Sequence, residues 1–252
     1  MGIGFIGVGD MASYMVHGLC RGSGGGDIVL SPRGAAQAAA LAAAHGCRIA
    51  ANNAAVVADC DVVVLAVRPA DVAAVLAGLP WRAGQVLVSV VAGATLADLA
   101  AAAPAVAVRS MPVSAAAIGE SPTAIYPDHP AARALLERLG TVTVLPDEGV
   151  FAAASVMGAY HGWVFGAIAA AAEWLEGEGI PPDPSRALAA GMMRAAAGVA
   201  LADRDTPLAD TLARLTTPGG ITEAGFQRMD QVAGRAAWPA ACAAALALME
   251  EG

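Results

Sequence analysis

The stretch Gly2-Ile3-Gly4-Phe5-Ile6-Gly7-Val8-Gly9-Asp10-Met11-Ala12 decides the fold. It holds two overlapping glycine frames. Gly2-Ile3-Gly4-Phe5-Ile6-Gly7 is set aside, because a phosphate cradle needs a strand leading into it and none precedes this frame. Gly7-Val8-Gly9-Asp10-Met11-Ala12 has that context, with the apolar run Gly2–Ile6 before it and a helical pattern after. Gly7 permits a tight turn, Gly9 lets backbone approach a pyrophosphate, and Ala12 allows a helix to pack closely on the strand. The phosphates would rest on the free N–H groups of the helix N-terminus. Gly7, Gly9, Asp10 and Met11 are therefore candidate cofactor residues.

Working outward, apolar β-branched runs recur at Asp27–Leu30, Asp61–Val67, Gln85–Val91, Ala105–Val108 and Thr141–Leu145. Between them lie alanine-rich helical stretches such as Ala35–Ala44 and Asp71–Leu79. The runs at 61–67 and 85–91 are almost continuously apolar, as parallel strands covered on both faces must be. This alternation predicts an α/β fold, a Rossmann-type doubly wound sheet over residues 1–145. After Pro146 the strand signal stops, and residues 146–252 read as an all-α domain. Its expected helices are 148–177, 184–203 with Asp183 as N-cap and Pro184 first, 207–215 and 222–250, punctuated by Pro181-Pro182 and Pro218-Gly219-Gly220.

Between Glu148 and Glu173 there is no charged residue. The stretch is long enough to cross a bilayer, but it is mostly Ala and Gly and carries His161 at mid-span, a costly residue in lipid. A helix apolar on nearly every face and buried in a protein interface is expected instead, with no membrane contact. Homo-oligomerisation through residues 146–252 follows, since few other elements of the chain could cover it.

The 252 residues are 57% hydrophobic with a net charge of −8, enough apolar surface for one or two domains and too little cationic charge for a nucleic-acid partner. Cys20, Cys47, Cys60 and Cys242 form no CxxC, so no metal site and no redox pair are expected. They read as scattered buried thiols of a reducing compartment, and no basic segment precedes the first apolar run, so a cytoplasmic protein is expected.

The choice of dinucleotide depends on the end of the second strand, where NAD sites place an acidic residue. Asp27 has the nominal spacing but precedes Ile28–Leu30 and so lies at the wrong end. The residues that follow the strand are Ser31-Pro32-Arg33. A hydroxyl and a guanidinium suit a 2′-phosphate, so Ser31 and Arg33 point to NADPH over NADH.

Five segments together resemble the pyrroline-5-carboxylate reductase family. They are Gly4–Ala12, Ala66-Val67-Arg68-Pro69, Ser89-Val90-Val91-Ala92-Gly93, Arg109-Ser110-Met111-Pro112 and Thr217-Pro218-Gly219-Gly220-Ile221-Thr222, in family order over most of the chain. The resemblance implies a Rossmann domain, a helical dimerisation domain whose partner completes each active site, and NAD(P)H-dependent reduction of a cyclic imine to proline. It adds Ala66, Val67, Arg68, Pro69, Ala92 and Gly93 to the cofactor residues, and Gly158, Thr217, Gly219, Gly220 and Thr222 as substrate residues. Physically, Pro218 pre-sets a turn, Gly219 and Gly220 leave N–H groups uncovered, and Thr222 adds a hydroxyl at a helix start: a site for the carboxylate of a cyclic imine.

The chain departs from the family pattern at Asp10, which stands for Asn, and at Val113-Ser114-Ala115, which stand for Asn-Thr-Pro. Met157-Gly158-Ala159-Tyr160-His161-Gly162-Trp163 stands where the family has Ser-Gly-Ser-Gly-Pro-Ala-Tyr. His161 and Tyr160 thereby join Thr222 as candidate catalytic residues, able to donate a proton. All 14 cations are Arg, which excludes the similarly laid-out β-hydroxyacid dehydrogenases with their catalytic lysine. No catalytic dyad is evident, and hydride transfer to a C=N bond needs positioning more than acid–base machinery. A related imine or carbonyl reductase with another small substrate, and a non-catalytic cofactor-binding relative, are the alternatives.

Overall fold

The computed structural model describes residues 2–22, 25–232 and 234–250. Strands and helices alternate as β1 (Ile3–Ile6), α1 (Asp10–Leu19), β2 (Ile28–Leu30), α2 (Ala35–His45), β3 (Arg48–Ile49), α3 (Asn53–Asp59), β4 (Val62–Leu65), α4 (Val72–Leu76) and β5 (Val86–Ser89). They continue with β6 (Val106–Met111), β7 (Thr123–Tyr126), α5 (Pro130–Glu137) and β8 (Val142–Val144). One eight-stranded sheet results, in the order β3-β2-β1-β4-β5-β6-β7-β8. The first six strands are parallel; β7 runs antiparallel to β6 and pairs in parallel with β8. The order 3-2-1-4-5-6 is the doubly wound dinucleotide-binding order, and it reverses between β1 and β4.

β1, β4 and β5 are buried at every position, because helices cover both faces of the sheet. Phe5, Met15, Leu30, Val64 and Val88 belong to the core on one face; Ile6, Val63, Leu65, Leu76 and Leu87 belong to the core on the other. At roughly 1.5–3 kcal/mol per fully buried large apolar side chain, these two layers dominate the stability of the sheet unit.

Four elements go beyond the sequence expectation: β3, β7, α3 and α5. Asn52 caps α3, its side chain accepting the Ala55 N–H at 2.9 Å, and Pro130 opens α5. β6 also runs past Val108 through the polar Arg109 and Ser110.

The helical part comprises α6 (Phe151–Gly177), α7 (Pro182–Ala202), α8 (Leu208–Leu215), α9 (Ile221–Gln231) and α10 (Ala237–Glu250). Two expectations are corrected here. α7 begins at Pro182 with Pro181 as N-cap, so Asp183 lies inside the first turn, where its charge favours the helix dipole. The single helix expected over 222–250 is two, because Val232 leaves the helical region at φ −119°, ψ 41°; Ala233 lies outside the described residues. By compactness the chain forms two units, one holding the sheet and reaching Gly158, the other spanning Ala159–Leu248. α6 runs through that boundary, and by length and composition it is one helix that could cross a membrane.

Candidate active site

The glycine turn sits where the strand order reverses. β1 delivers the chain into Gly7 at φ 88°, and a Cβ there would collide with the Ala66 carbonyl at the end of β4. Only glycine can make this turn beside the neighbouring strand. Gly9 caps α1 from an extended conformation without any side chain, and Asp10 and Met11 form the first turn. The first-turn amides of α1 lie outside the intrahelical ladder, as donors at a helix N-terminus do. Ala12 is fully buried beneath them. Gly34 (φ 86°) closes over the turn, where a Cβ would strike the Val8 carbonyl. The resulting groove, about 220 Å³, is lined by Gly7, Gly9, Gly34, Val67, Arg33 and Arg68 among others.

Ser31 and Arg33 separate in role. Ser31 is fully buried, and its Oγ accepts the Gly7 N–H at 3.0 Å. It therefore pins the glycine turn from beneath, and the expectation that its hydroxyl meets a phosphate directly is corrected by that burial. Arg33 lies on the rim, its Nη2 donating to Asp71 Oδ2 at 3.1 Å. Arg68 donates from Nε to the same oxygen at 3.2 Å. One carboxylate thus holds two exposed guanidiniums side by side. The Arg68 hydrogen bond, with smaller contributions from Arg33, keeps the Asp71 carboxyl below the usual carboxylate range. Asp71 went unremarked in the sequence; its position three residues after Arg68 was the available signal. Asp27 is exposed ahead of β2 and so does not stand at the end of that strand, where Ser31, Pro32 and Arg33 follow.

A glycine cradle that a Cβ would fill, backed by a helix N-terminus, fits a dinucleotide pyrophosphate. The paired guanidiniums fit a further phosphate on its ribose. Pro69 opens the short helical turn that carries Asp71, and Ala92 and Gly93 are exposed beyond β5.

In the helical unit, residues 157–163 are helical throughout, in the middle of α6 rather than in a loop. At about 100° per residue, His161 lies about 60° around the helix from Gly158 and Tyr160 about 160°. A Cβ on Gly158 would lie 3.9 Å from Met111 Sδ at the end of β6. Tyr160 is engaged elsewhere, its ring 6.1 Å from Trp163 and 5.3 Å from Trp238. The His161 ring stands edge-on to Phe165 at 5.2 Å.

The turn at 217–222 forms, with an unexpected internal closure. Gly219 N–H donates to Glu223 Oε2 at 2.8 Å, and Gly220 N–H donates to the Thr217 carbonyl at 2.9 Å. The expectation that these two amides stand open is therefore corrected: each already has an acceptor. The donors left to an incoming carboxylate are the Thr222 hydroxyl and the first-turn amides of Ile221, Thr222 and Glu223 in α9. Among the described residues, no group of three or more His, Cys, Asp or Glu is placed to hold a metal.

Two family models match the chain. One, described as NADP oxidoreductase coenzyme F420-dependent, covers residues 2–93; the other, pyrroline-5-carboxylate reductase dimerisation, covers 148–251. A pyrroline-5-carboxylate reductase of Pseudomonas aeruginosa is 32% identical over 238 residues, 89% of this chain and 87% of the relative. The 1-pyrroline-5-carboxylate reductase structure from Streptococcus pyogenes superposes with TM-score 0.85 at 23% identity, covering 100% of this chain and 99% of the other. The Plasmodium falciparum pyrroline carboxylate reductase structure, which has NADP bound, gives TM-score 0.86 at 18% identity, covering 100% and 97%.

Proposed function

The chain belongs to the pyrroline-5-carboxylate reductase family, and on that premise we propose that it reduces the C=N bond of pyrroline-5-carboxylate to give proline, with NADPH as reductant. The observation that carries the reading is the groove at the strand-order reversal, with its glycine cradle and its two guanidiniums braced by Asp71. NADPH is preferred over NADH because Arg33 and Arg68 supply cations where a 2′-phosphate would stand, and the residues that directly follow β2, Ser31, Pro32 and Arg33, include no carboxylate for a ribose diol.

When bound, NADPH supplies a hydride from C4 of its nicotinamide. The residues of this chain do the rest by placement. Gly7, Gly9 and the amides of Asp10 and Met11 hold the pyrophosphate, Ser31 keeps Gly7 in place, and Arg33 and Arg68 fix the adenosine end. Ala66, Val67 and Pro69 form a wall, and Ala92 and Gly93 are the bed for the nicotinamide end. The imine is taken up protonated, so hydride arriving at its ring carbon leaves a neutral secondary amine and no further proton is required. This explains how a chain without lysine and without a catalytic dyad can run the reaction.

Thr222 and the first turn of α9 receive the substrate carboxylate, with Thr217, Gly219 and Gly220 shaping the turn behind them. Of the two aromatic candidates, His161 is the one suited to accept a hydrogen bond from the protonated imine nitrogen, because it shares a helix face with Gly158. Tyr160 packs with Trp163 and Trp238 instead.

The working form is a homo-oligomer joined through the helical half. Phe165, Trp174, Leu201 and Leu208 are exposed in the single chain, and no charged residue interrupts α6 before Glu173. Exposed apolar surface of this extent marks an association surface. Cys20, Cys47 and Cys60 are buried free thiols, which supports a reducing, cytoplasmic setting. NADPH consumption measured against pyrroline-5-carboxylate, larger cyclic imines and small ketones tests the proposal. Preferred turnover of pyrroline-5-carboxylate is expected. A ketone preference points to a carbonyl reductase, and binding of NADPH without turnover of any of them points to a non-catalytic relative.

A further inference from the structure

We propose that Arg109 and Glu148 are positioning residues for the reductive step, locking the loop that carries Ala92 and Gly93 to the root of α6; this rests on the function proposed above. Arg109 lies on β6, in register with Ser89 at the end of β5. Its side chain is 7% exposed, and Nη1 donates to Glu148 Oε1 at 2.8 Å. The same carboxylate oxygen accepts the Leu96 N–H at 2.7 Å, three residues beyond Gly93. The guanidinium carbon sits 4.2 Å over the ring centroid of Phe151, the first residue of α6. Phe151 N–H in turn donates to the Glu148 carbonyl at 3.0 Å. One ion pair therefore ties together β6, the loop after β5 and the start of the long helix.

Stability alone does not account for it. In this pair the Arg109 side is buried while the Glu148 side chain is 33% exposed, so the guanidinium bears most of the desolvation cost, and apolar residues of similar volume often do as well or better. Here the cost is higher still, since Arg109 Nε is a buried donor with no acceptor among the described residues. What the pair provides is geometry: a planar fork stacked on one element, bonded to a carboxylate that also fixes a backbone amide of another. Two residues along β6, Met111 lies beside Gly158, two turns into the helix whose root the pair fixes. Misplacing that helix root or the loop by an ångström is the kind of error that costs hydride transfer about a hundredfold while leaving binding nearly intact.

The test compares Glu148→Ala, Glu148→Gln and the double exchange Arg109→Met with Glu148→Leu, which removes both charges without stranding either. Glu148→Ala and the double variant should lose at least about tenfold in kcat with NADPH Kd changed less than about twofold. With NADPH deuterated at the transferred position, their isotope effect on kcat should rise, which a smaller active fraction would not produce. Glu148→Gln keeps an oxygen for the Leu96 N–H and should recover most of the lost kcat. An unchanged kcat in Glu148→Ala, an unchanged isotope effect, or a Glu148→Gln enzyme as slow as Glu148→Ala overturns the proposal. If the wild type reduces no imine, the functional reading fails separately, and the lock is judged on hydrogen exchange at the Leu96 amide. That exchange should accelerate in Glu148→Ala and not in Glu148→Gln; equal rates in both overturn it.

Discussion

Replacing Arg33 by Ala should weaken NADPH binding and leave NADH binding nearly unchanged. The side chain is 61% exposed and already donates to Asp71 at 3.1 Å. A hydrogen bond between charged groups is worth about 1.5–3 kcal/mol, and exposure screens it toward the low end. Arg68 remains to carry part of the load. About 1–2 kcal/mol should therefore be lost, a five- to thirtyfold rise in Kd at about 1.4 kcal/mol per tenfold. Asp71→Asn works in the opposite sense: it removes a carboxylate that competes with the incoming phosphate, so NADPH affinity should rise while NADH affinity stays put. Fluorescence titration of both cofactors into wild type and both variants, at low and moderate salt, reads these numbers. Equal wild-type affinities for NADPH and NADH, or an Arg33→Ala loss that falls equally on both, would refute the assignment of the guanidinium pair to a 2′-phosphate.

Ser31→Ala strips the Gly7 N–H of its buried acceptor, so the urea midpoint should fall by the equivalent of about 1–3 kcal/mol, with both cofactors weakened alike; an unmoved midpoint contradicts the pinning role. Burial pushes the Cys47 and Cys60 thiols up from 9.0 to about 11. The folded chain therefore keeps protons that the unfolded chain releases. The resulting stabilisation is complete below pH 9.0 and lost as pH rises through about 11, so thermal stability should decline across that window, and reaction of both thiols with iodoacetamide should keep accelerating through it. Ala167→Glu places an unpaired carboxylate in the middle of α6 and should abolish both self-association and activity, whereas sedimentation of the wild type as an active monomer at micromolar concentration would contradict the oligomer.

The parts legible in the sequence are those where one physical requirement dominates a contiguous stretch. β1, β4 and β5 are buried on both faces, so their residues are apolar without interruption, and the turn after β1 accepts only glycine at position 7. β3 is two exposed residues, Arg48 and Ile49, that pair with β2; no pattern of their own marks them. β7 alternates buried and half-buried positions over only four residues, too short a run to stand out. β6 continues through Arg109 and Ser110 because β7 pairs with it there, which is a tertiary fact.

The candidate site divides in the same way. The glycine turn is local and could be read in order along the chain. The bridging of Arg33 and Arg68 by Asp71 needed the fold, since 38 residues separate Arg33 from Asp71. The direction of Ser31 was equally out of reach, because a hydroxyl at the end of β2 can face the groove or support the turn beneath it. The Glu223 carboxylate closes back on Gly219 over four residues, competing with the open-amide reading of the turn.

Label transfer shows whether the hydride of NADPH reaches the imine carbon. Enzyme given pyrroline-5-carboxylate and NADPH deuterated at the transferred C4 position should yield proline carrying one deuterium at the former imine carbon, in amount equal to the cofactor oxidised. Cofactor oxidised without labelled proline, or no oxidation of NADPH by enzyme that binds it, would exclude hydride transfer from NADPH to pyrroline-5-carboxylate.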